Sequence, residues 1–335
     1  MGEVNFAGAS IRGTLDCHNG QFINPDNTAI NANTAKISSS VFLGKDKENA
    51  SDFQAEGKLS FENATIGSEL KLISTEINNP EKLSLNLRFA NVKTFILESD
   101  KNTSQTNWAK QIKPDNLFLN GFVYNAFIYG SLEERPDSKA LKDWLRLQPK
   151  ERFALQPYEQ LASVLKEKGY QEEATEILIA KEEDQRERGG LQGFGWLWNR
   201  FLGFTIRHGY RPERAFIFSV VIVVVGGVVF WIGYDHNLIY PTEKDCIKQD
   251  KGLINEKETI KCSKYYNYPK FNPWIYSLDV FLPIIDLRLK NAWIPNANTP
   301  CGEALRYYFW VQTASGWVLT TLWVAGFTGL VRGGK

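Results

Sequence analysis

Residues 216–234, FIFSVVIVVVGGVVFWIGY, run nineteen positions without a charge, and no other feature limits this chain so strongly. At 1.5 Å per helical residue the run reaches roughly 28 Å, close to the hydrocarbon thickness of a bilayer. Its flanks agree. Between Gly189 and Ala215 stand Arg200, Arg207, Arg211 and Arg214, with Glu213 the only acid. A second charge-free run, 307–331, is closed by Arg332 and Lys335. Cationic residues collect on the cytoplasmic side of membrane spans, so two transmembrane helices are expected, over 216–234 and 307–331, with both termini inside.

Mean hydropathy is only −0.31, because a long polar N-terminal part dilutes the two runs. Net charge is +1, and no Lys/Arg cluster with interleaved aromatics occurs, which argues against nucleic acid as a partner. Eight of the ten Trp residues lie at or beyond position 196, as membrane–water boundaries favour. The opening MGEVNFAGAS has no basic-then-apolar signal pattern, and Phe6 stands where a myristoylation motif needs Ser or Thr. Residues 1–215 are therefore expected in the cytoplasm, with Cys17 a reduced, inert thiol. Cys246, Cys262 and Cys301 fall in the external segment; a Cys246–Cys262 bridge is the first expectation, with Cys301 an alternative partner for either.

Along residues 1–133 a short pattern recurs: Ala, one residue, Ile or Val, three residues, then an aliphatic. Its copies are Ala9–Ile11–Leu15, Ala35–Ile37–Val41, Ala64–Ile66–Leu70 and Ala90–Val92–Ile96, with a weaker Phe122–Tyr124–Ile128. An apolar residue sits three positions before four of the copies, at Phe6, Phe61, Leu87 and Leu119. Period-two alternation within copies and a spacing of 26 to 32 residues between them predict short strands, one set per coil of a β-solenoid. An ordinary β-sandwich is the competing architecture. The stretches FAGASIRGTLDC and FENATIGSELKL resemble the degenerate pentapeptide-like repeats of bacterial right-handed β-helices. The chain begins inside a repeat, with no capping element before Phe6, which leaves room for a longer natural N-terminus.

Residues 138–188 read as a helical hairpin around Gly169, similar to a single tetratricopeptide-type unit. One such unit cannot bury its own face, so it is expected to pack on the solenoid's end or on a partner chain. Over 194–207, Trp196, Trp198, Leu197, Phe201 and Phe204 beside Arg200 and Arg207 suit an amphipathic helix in the inner headgroup plane, with Arg211 and Arg214 as further anchors. The glycines at 190, 193 and 195 do not make a dinucleotide loop: their order is wrong and no strand precedes them.

Between the spans, 235–270 is polar, and 271–295, FNPWIYSLDVFLPIIDLRLKNAWIP, is apolar but broken by Pro273 and Pro283. It is too short to span and reads as re-entrant, with Asp279 and Asp286 as carboxylates that membrane depth makes expensive. Span, re-entrant segment, span is the layout of a two-span potassium-channel subunit. YSLDVFL at 276–282 resembles the pore-helix stretch and ASGWVLTTLWVAGF at 314–327 the following inner helix. That resemblance covers about 120 residues and implies a homo-oligomer, a tetramer by analogy, with Ser277, Asp279, Pro283, Asp286, Thr313, Gly316 and Thr320 near a pore. It does not extend to potassium selectivity, because LPIID lacks the glycines of a carbonyl-lined filter. The whole chain also resembles a group of uncharacterised bacterial membrane proteins, some labelled membrane-associated oxidoreductases. No cofactor fingerprint or CxxC supports that label, so no cofactor, no metal and no catalytic residue is expected.

The fold expected is thus a right-handed β-solenoid, a helical hairpin, and two transmembrane helices around a pore-loop-like segment, in a bacterial inner membrane. The function expected is a channel-like pore regulated by the solenoid. The alternative is a membrane-anchored scaffold whose solenoid binds a cytoplasmic protein or ligand. Packing is the competing role for Gly226–Gly227 and for the 313–328 face, since small and hydroxyl residues let membrane helices approach. Local pairing is the competing role for both carboxylates: a helix N-cap or Arg288 for Asp279, Arg288 or Lys290 for Asp286.

Overall fold

A computed structural model of the chain describes residues 2–44, 54–73, 83–98, 112, 115–129, 135–242 and 268–330. It divides into two compact units, 1–200 and 201–335.

The first unit is built on two parallel sheets. One has the order β1 (Val4–Asn5), β4 (Gln21–Asn31), β7 (Gln54–Ser60), β9 (Leu83–Asn86), β11 (Leu117–Phe118). The other pairs β2 (Ser10–Ile11), β5 (Lys36–Ile37), β8 (Thr65–Ile73), β10 (Asn91–Glu98) and β12 (Val123–Tyr129), with β6 (Val41–Gly44) beside β8 and β3 (Leu15–His18) beside β6. The chain passes from one sheet to the other and back in each coil, with β2–β3 and β5–β6 as consecutive strands of the second sheet. Strands pair in parallel with their counterparts one coil on. That is a β-solenoid. Ile11, Ile37, Ile66, Val92 and Tyr124 stand in one register column, as the repeat predicts. The next column departs from it. Leu15, Val41 and Leu70 are followed by Phe95 and Phe127 rather than Ile96 and Ile128. The register shifts between Val92 and Thr94, where β8 carries one more residue than β10, so apolar spacing alone misplaces the stack by one.

Each coil turns its corner the same way. Amides of Ala9, Ala35, Ala64, Ala90 and Phe122 donate to the carbonyls of Phe6, Ala32, Phe61, Leu87 and Leu119, closing four-residue turns. The third residue of each turn is left-handed: Gly8, Thr34, Asn63, Phe89 and Gly121, with φ between 55° and 80°. Glycine and asparagine adopt that region readily, whereas a β-branched residue is strained there by about 1–2 kcal/mol. Thr34→Gly is therefore expected to stabilise the chain by roughly 0.5–1 kcal/mol after the unfolded-state entropy of glycine is subtracted. Its first thermal transition should rise by about 2 °C, and a fall would show that Thr34 is not strained.

Helices α1 (Ser138–Leu145), α2 (Gln156–Glu167) and α3 (Gln171–Arg188) close the open end of β12. A strand edge presents unpaired amides and carbonyls that must be covered or paired. Gln156 accepts from the Gly121 amide at 2.9 Å and donates to the Phe122 carbonyl at 3.1 Å. Gln160 donates to the Tyr124 carbonyl at 2.7 Å, and Lys168 to that of Phe127 at 3.2 Å. Below them Trp144 stacks on Phe127 and packs against Phe95, which meets Phe122 edge-on. Of the two seats expected for the hairpin, it occupies the solenoid's end. The helices hold one buried polar cluster, in which Asp184 accepts from Arg146 Nε at 3.0 Å and from the Tyr158 hydroxyl at 2.8 Å. Cys17 faces the core, and burial pushes its thiol up to about 11, so it stays protonated and unreactive at neutral pH.

Helix α4 (Gly193–Ile206) runs from the first unit into the second. The second unit contains α5 (Glu213–Asp235), α6 (Pro273–Phe281), the single turn α7 (Leu289–Ala292) and α8 (Pro300–Phe327). A short antiparallel pair joins Ile239–Pro241 to Trp293–Pro295. Only α5, among the described residues, is long and apolar enough to cross a membrane. The second run expected to span lies within α8, which starts earlier, at Pro300. Gln312, Thr313, Ser315, Thr320 and Thr321 make it less apolar than a lipid-spanning helix defined by composition alone. Cys246 and Cys262 lie outside the described residues; Cys301 is exposed in the first turn of α8 and has no disulfide partner among the described residues.

Candidate functional site

Residues 271–295 begin and end beside the same part of α5. Asn272 N-caps α6, accepting from the amides of Trp274 and Ile275. At its start Phe271 stacks on Tyr234, with ring centroids 4.4 Å apart. Tyr276 meets Phe230 edge-on at 4.8 Å, and Ser277 donates to the Val223 carbonyl at 2.8 Å. Phe281 then joins a buried cluster with Ala215, Leu319 and Leu322. After a turn over 282–288, Leu289 and Trp293 are back in the cluster of Phe230 and Tyr276. The nine-residue α6 thus packs along α5, and the turn at 282–288 with α7 leads back to the first cluster.

Asp279 organises the return. It is fully buried, and its two oxygens accept from the backbone amides of Leu287, Leu289 and Lys290, each at 2.8 Å. Lys290 Nζ lies 3.7 Å from Asp279 Oδ1 and donates to its backbone carbonyl at 3.3 Å. Three charge-assisted bonds to orphan amides hold the loop against α6, much as an N-cap holds a helix. The partner is Lys290 and the loop amides, not Arg288. Asp286, by contrast, is exposed; it accepts from the Arg288 amide at 2.8 Å and from Asn291 at 3.3 Å. Arg288 sits left-handed at φ 64°. Around them Ile284 is 83% exposed and Ile285 52%, while Pro283 is half-buried.

On α8 the buried line is Leu305, Gln312, Gly316, Leu319, Leu322 and Gly326. Thr313 and Thr320 lie beside it, half-buried, and Val324 and Phe327 are exposed. Gly316 packs directly under the Phe281 carbonyl, so it serves helix contact within the chain. Thr313, Ser315 and Thr321 each return their hydroxyl to the carbonyl four residues back, at 2.7–2.9 Å, which satisfies them without solvent. Gln312 was not singled out by the sequence, yet it is 1% exposed and donates to Ser277 at both the carbonyl (2.9 Å) and the hydroxyl (2.8 Å). Its signal was available: an amide inside a charge-free run. Thr320 instead lines an apolar cavity of about 270 Å³ with Phe216, Val220, Leu278, Leu282 and Trp323.

The anchor residues fall in and after α4. Trp196 and Trp198 are exposed, and Arg200 lies over the Trp196 ring at 5.4 Å. Phe204, 66% exposed, stacks on Phe218 in the second unit. Arg207 and Arg211 follow in the connection to α5 and Arg214 in its first turn, with Arg207 left-handed at φ 44°. Comparison with protein-family models, curated proteins and solved structures finds no match to this chain.

Proposed function

We propose that this chain is one subunit of a homo-oligomeric, channel-like protein of the bacterial inner membrane, with its β-solenoid on the cytoplasmic side as regulator. The observation that supports this reading is the exposed turn at 282–288. With α5 across the bilayer, a turn beside Val220 sits at hydrocarbon depth. Irregular backbone is tolerated there only against protein or water, and so are Asp286 and Arg288. A single chain leaves all of them uncovered. A second copy covers them, or water lines them, and a ring of copies does both; four is the number by analogy with two-span channels. In this reading α8 is the second crossing, its charge-free part from Tyr307 to Phe327 reaching roughly 30 Å. The exposed indoles of α4 and the arginines after it anchor the inner face.

The experiment is ion flux through the purified full chain in liposomes, wild type beside Asp286→Asn. Flux that changes by several-fold puts Asp286 on the path. Flux indifferent to Asp286 removes it from the path, and silence in wild type and in a solenoid-deleted chain abandons the channel. Asp279 is a poor probe, because its carboxylate is consumed by the loop it holds. The second reading is a membrane-anchored scaffold that presents the solenoid to a cytoplasmic partner. The absence of glycine from LPIID favours it, since no carbonyl filter can form there.

A further inference from the structure

We propose that α5 carries a built-in hinge at Val223–Gly227, gripped by a polar clasp from Ser277 and Gln312. Four observations meet at this level. Gly226 and Gly227 are adjacent in the middle of the helix, and glycine pairs are where helices kink. Ser277, from α6, inserts its hydroxyl at the Val223 carbonyl, which the Gly227 amide uses in the regular helical ladder. A side chain entering that ladder is a second cause of bending. Gln312, from α8, spends its amide nitrogen on Ser277, while its buried Oε1 has no hydrogen-bond partner among the described residues. That oxygen lies against Gly226, where an added Cβ would come within 2.4 Å of both Gln312 Oε1 and Ser277 Oγ. An unsatisfied buried acceptor raises the free energy of this arrangement and leaves it ready to exchange for another.

The surroundings divide at the same level. One buried cluster, with Phe230, Ile239, Tyr276, Trp293 and Leu305, packs the outer half of α5. A separate one, with Ile206, Ala215, Phe281, Leu319 and Leu322, packs the inner half. The clasp lies between two apolar bodies, so bending of α5 at the glycines moves one body against the other and carries α6 with it. The hinge stands apart from whether the chain conducts.

Hydrogen–deuterium exchange of the full-length protein in detergent micelles tests it, read along α5 after correction for intrinsic amide rates. The Gly226 and Gly227 amides should exchange about tenfold faster than those of 218–222 and 230–234, reflecting local opening. Ser277→Ala, which removes the inserted hydroxyl, should slow Gly227 toward its flanks. Gln312→Leu removes the unsatisfied acceptor but leaves that hydroxyl in place, so it should slow Gly227 only in part. Uniform exchange along wild-type α5 overturns the hinge, as does a Gly227 rate that Ser277→Ala does not change.

Discussion

Asp279→Ala is expected to destabilise the second unit by about 4 kcal/mol. Three backbone amides at 287, 289 and 290 lose their acceptor at once, and Lys290 loses its counter-charge. Each buried donor left unmade costs about 1–3 kcal/mol, partly relieved here because the loop can open to solvent. Breaking a buried ion pair from one side has a similar cost, reduced by the partial exposure of Lys290. The local effect should be plainer than the global one. With its clamp gone, the 287–290 loop leaves α6, and trypsin should cut after Arg288 and Lys290 in a chain otherwise folded. Asp279→Asn keeps one acceptor but turns an amide toward the N–H donors, so it should lie between wild type and Asp279→Ala. A chain that resists trypsin and melts unchanged after Asp279→Ala would show that the loop is held elsewhere.

Gly316→Ala should cost about 2–3 kcal/mol, a large effect for one methyl group. The new Cβ would stand 1.8 Å from the Phe281 carbonyl oxygen and 2.8 Å from its carbon. Both atoms are backbone, so relief requires α6 and α8 to part. Thr313→Ala, on the neighbouring half-buried position, should change stability by no more than about 0.5 kcal/mol. The pair separates the two roles expected for this face. Stability lost at 316 and kept at 313 assigns the glycine to packing. Equal, small effects at both would return it to a solvent-facing lining.

What the sequence made legible follows from what side-chain pattern can encode. The column Ile11–Ile37–Ile66–Val92–Tyr124 is visible because burial repeats once per coil. The slip to Phe95 and Phe127 is not, since an extra residue in β8 changes backbone pairing without changing composition. The left-handed corner is announced by Gly8, Asn63 and Gly121 but concealed at Thr34 and Phe89, residue types that do not signal that conformation. Asp279 stood out as an expensive carboxylate, yet its ligands are amides, and backbone groups leave no trace in a sequence. On α8, reasoning from hydroxyls and small residues chose 313, 316 and 320, whereas the packed line passes through Gln312, Gly316 and Leu319. Thr313 and Thr320 stand one position from that line, about 100° round the helix, while Gly316 lies on it.

The most direct test of the channel-like assembly is disulfide cross-linking of Ile284→Cys in liposomes holding the full chain, scored above the background of its native cysteines. Ile284 is the most exposed large apolar residue of the turn, at 83%, and a homo-oligomer closed over that turn brings neighbouring copies together there. Covalent dimers that require the 284 cysteine and persist when the protein is diluted in lipid are the expected result. A chain that stays monomeric under oxidation, while the same cysteine reacts freely with a soluble maleimide, would contradict it.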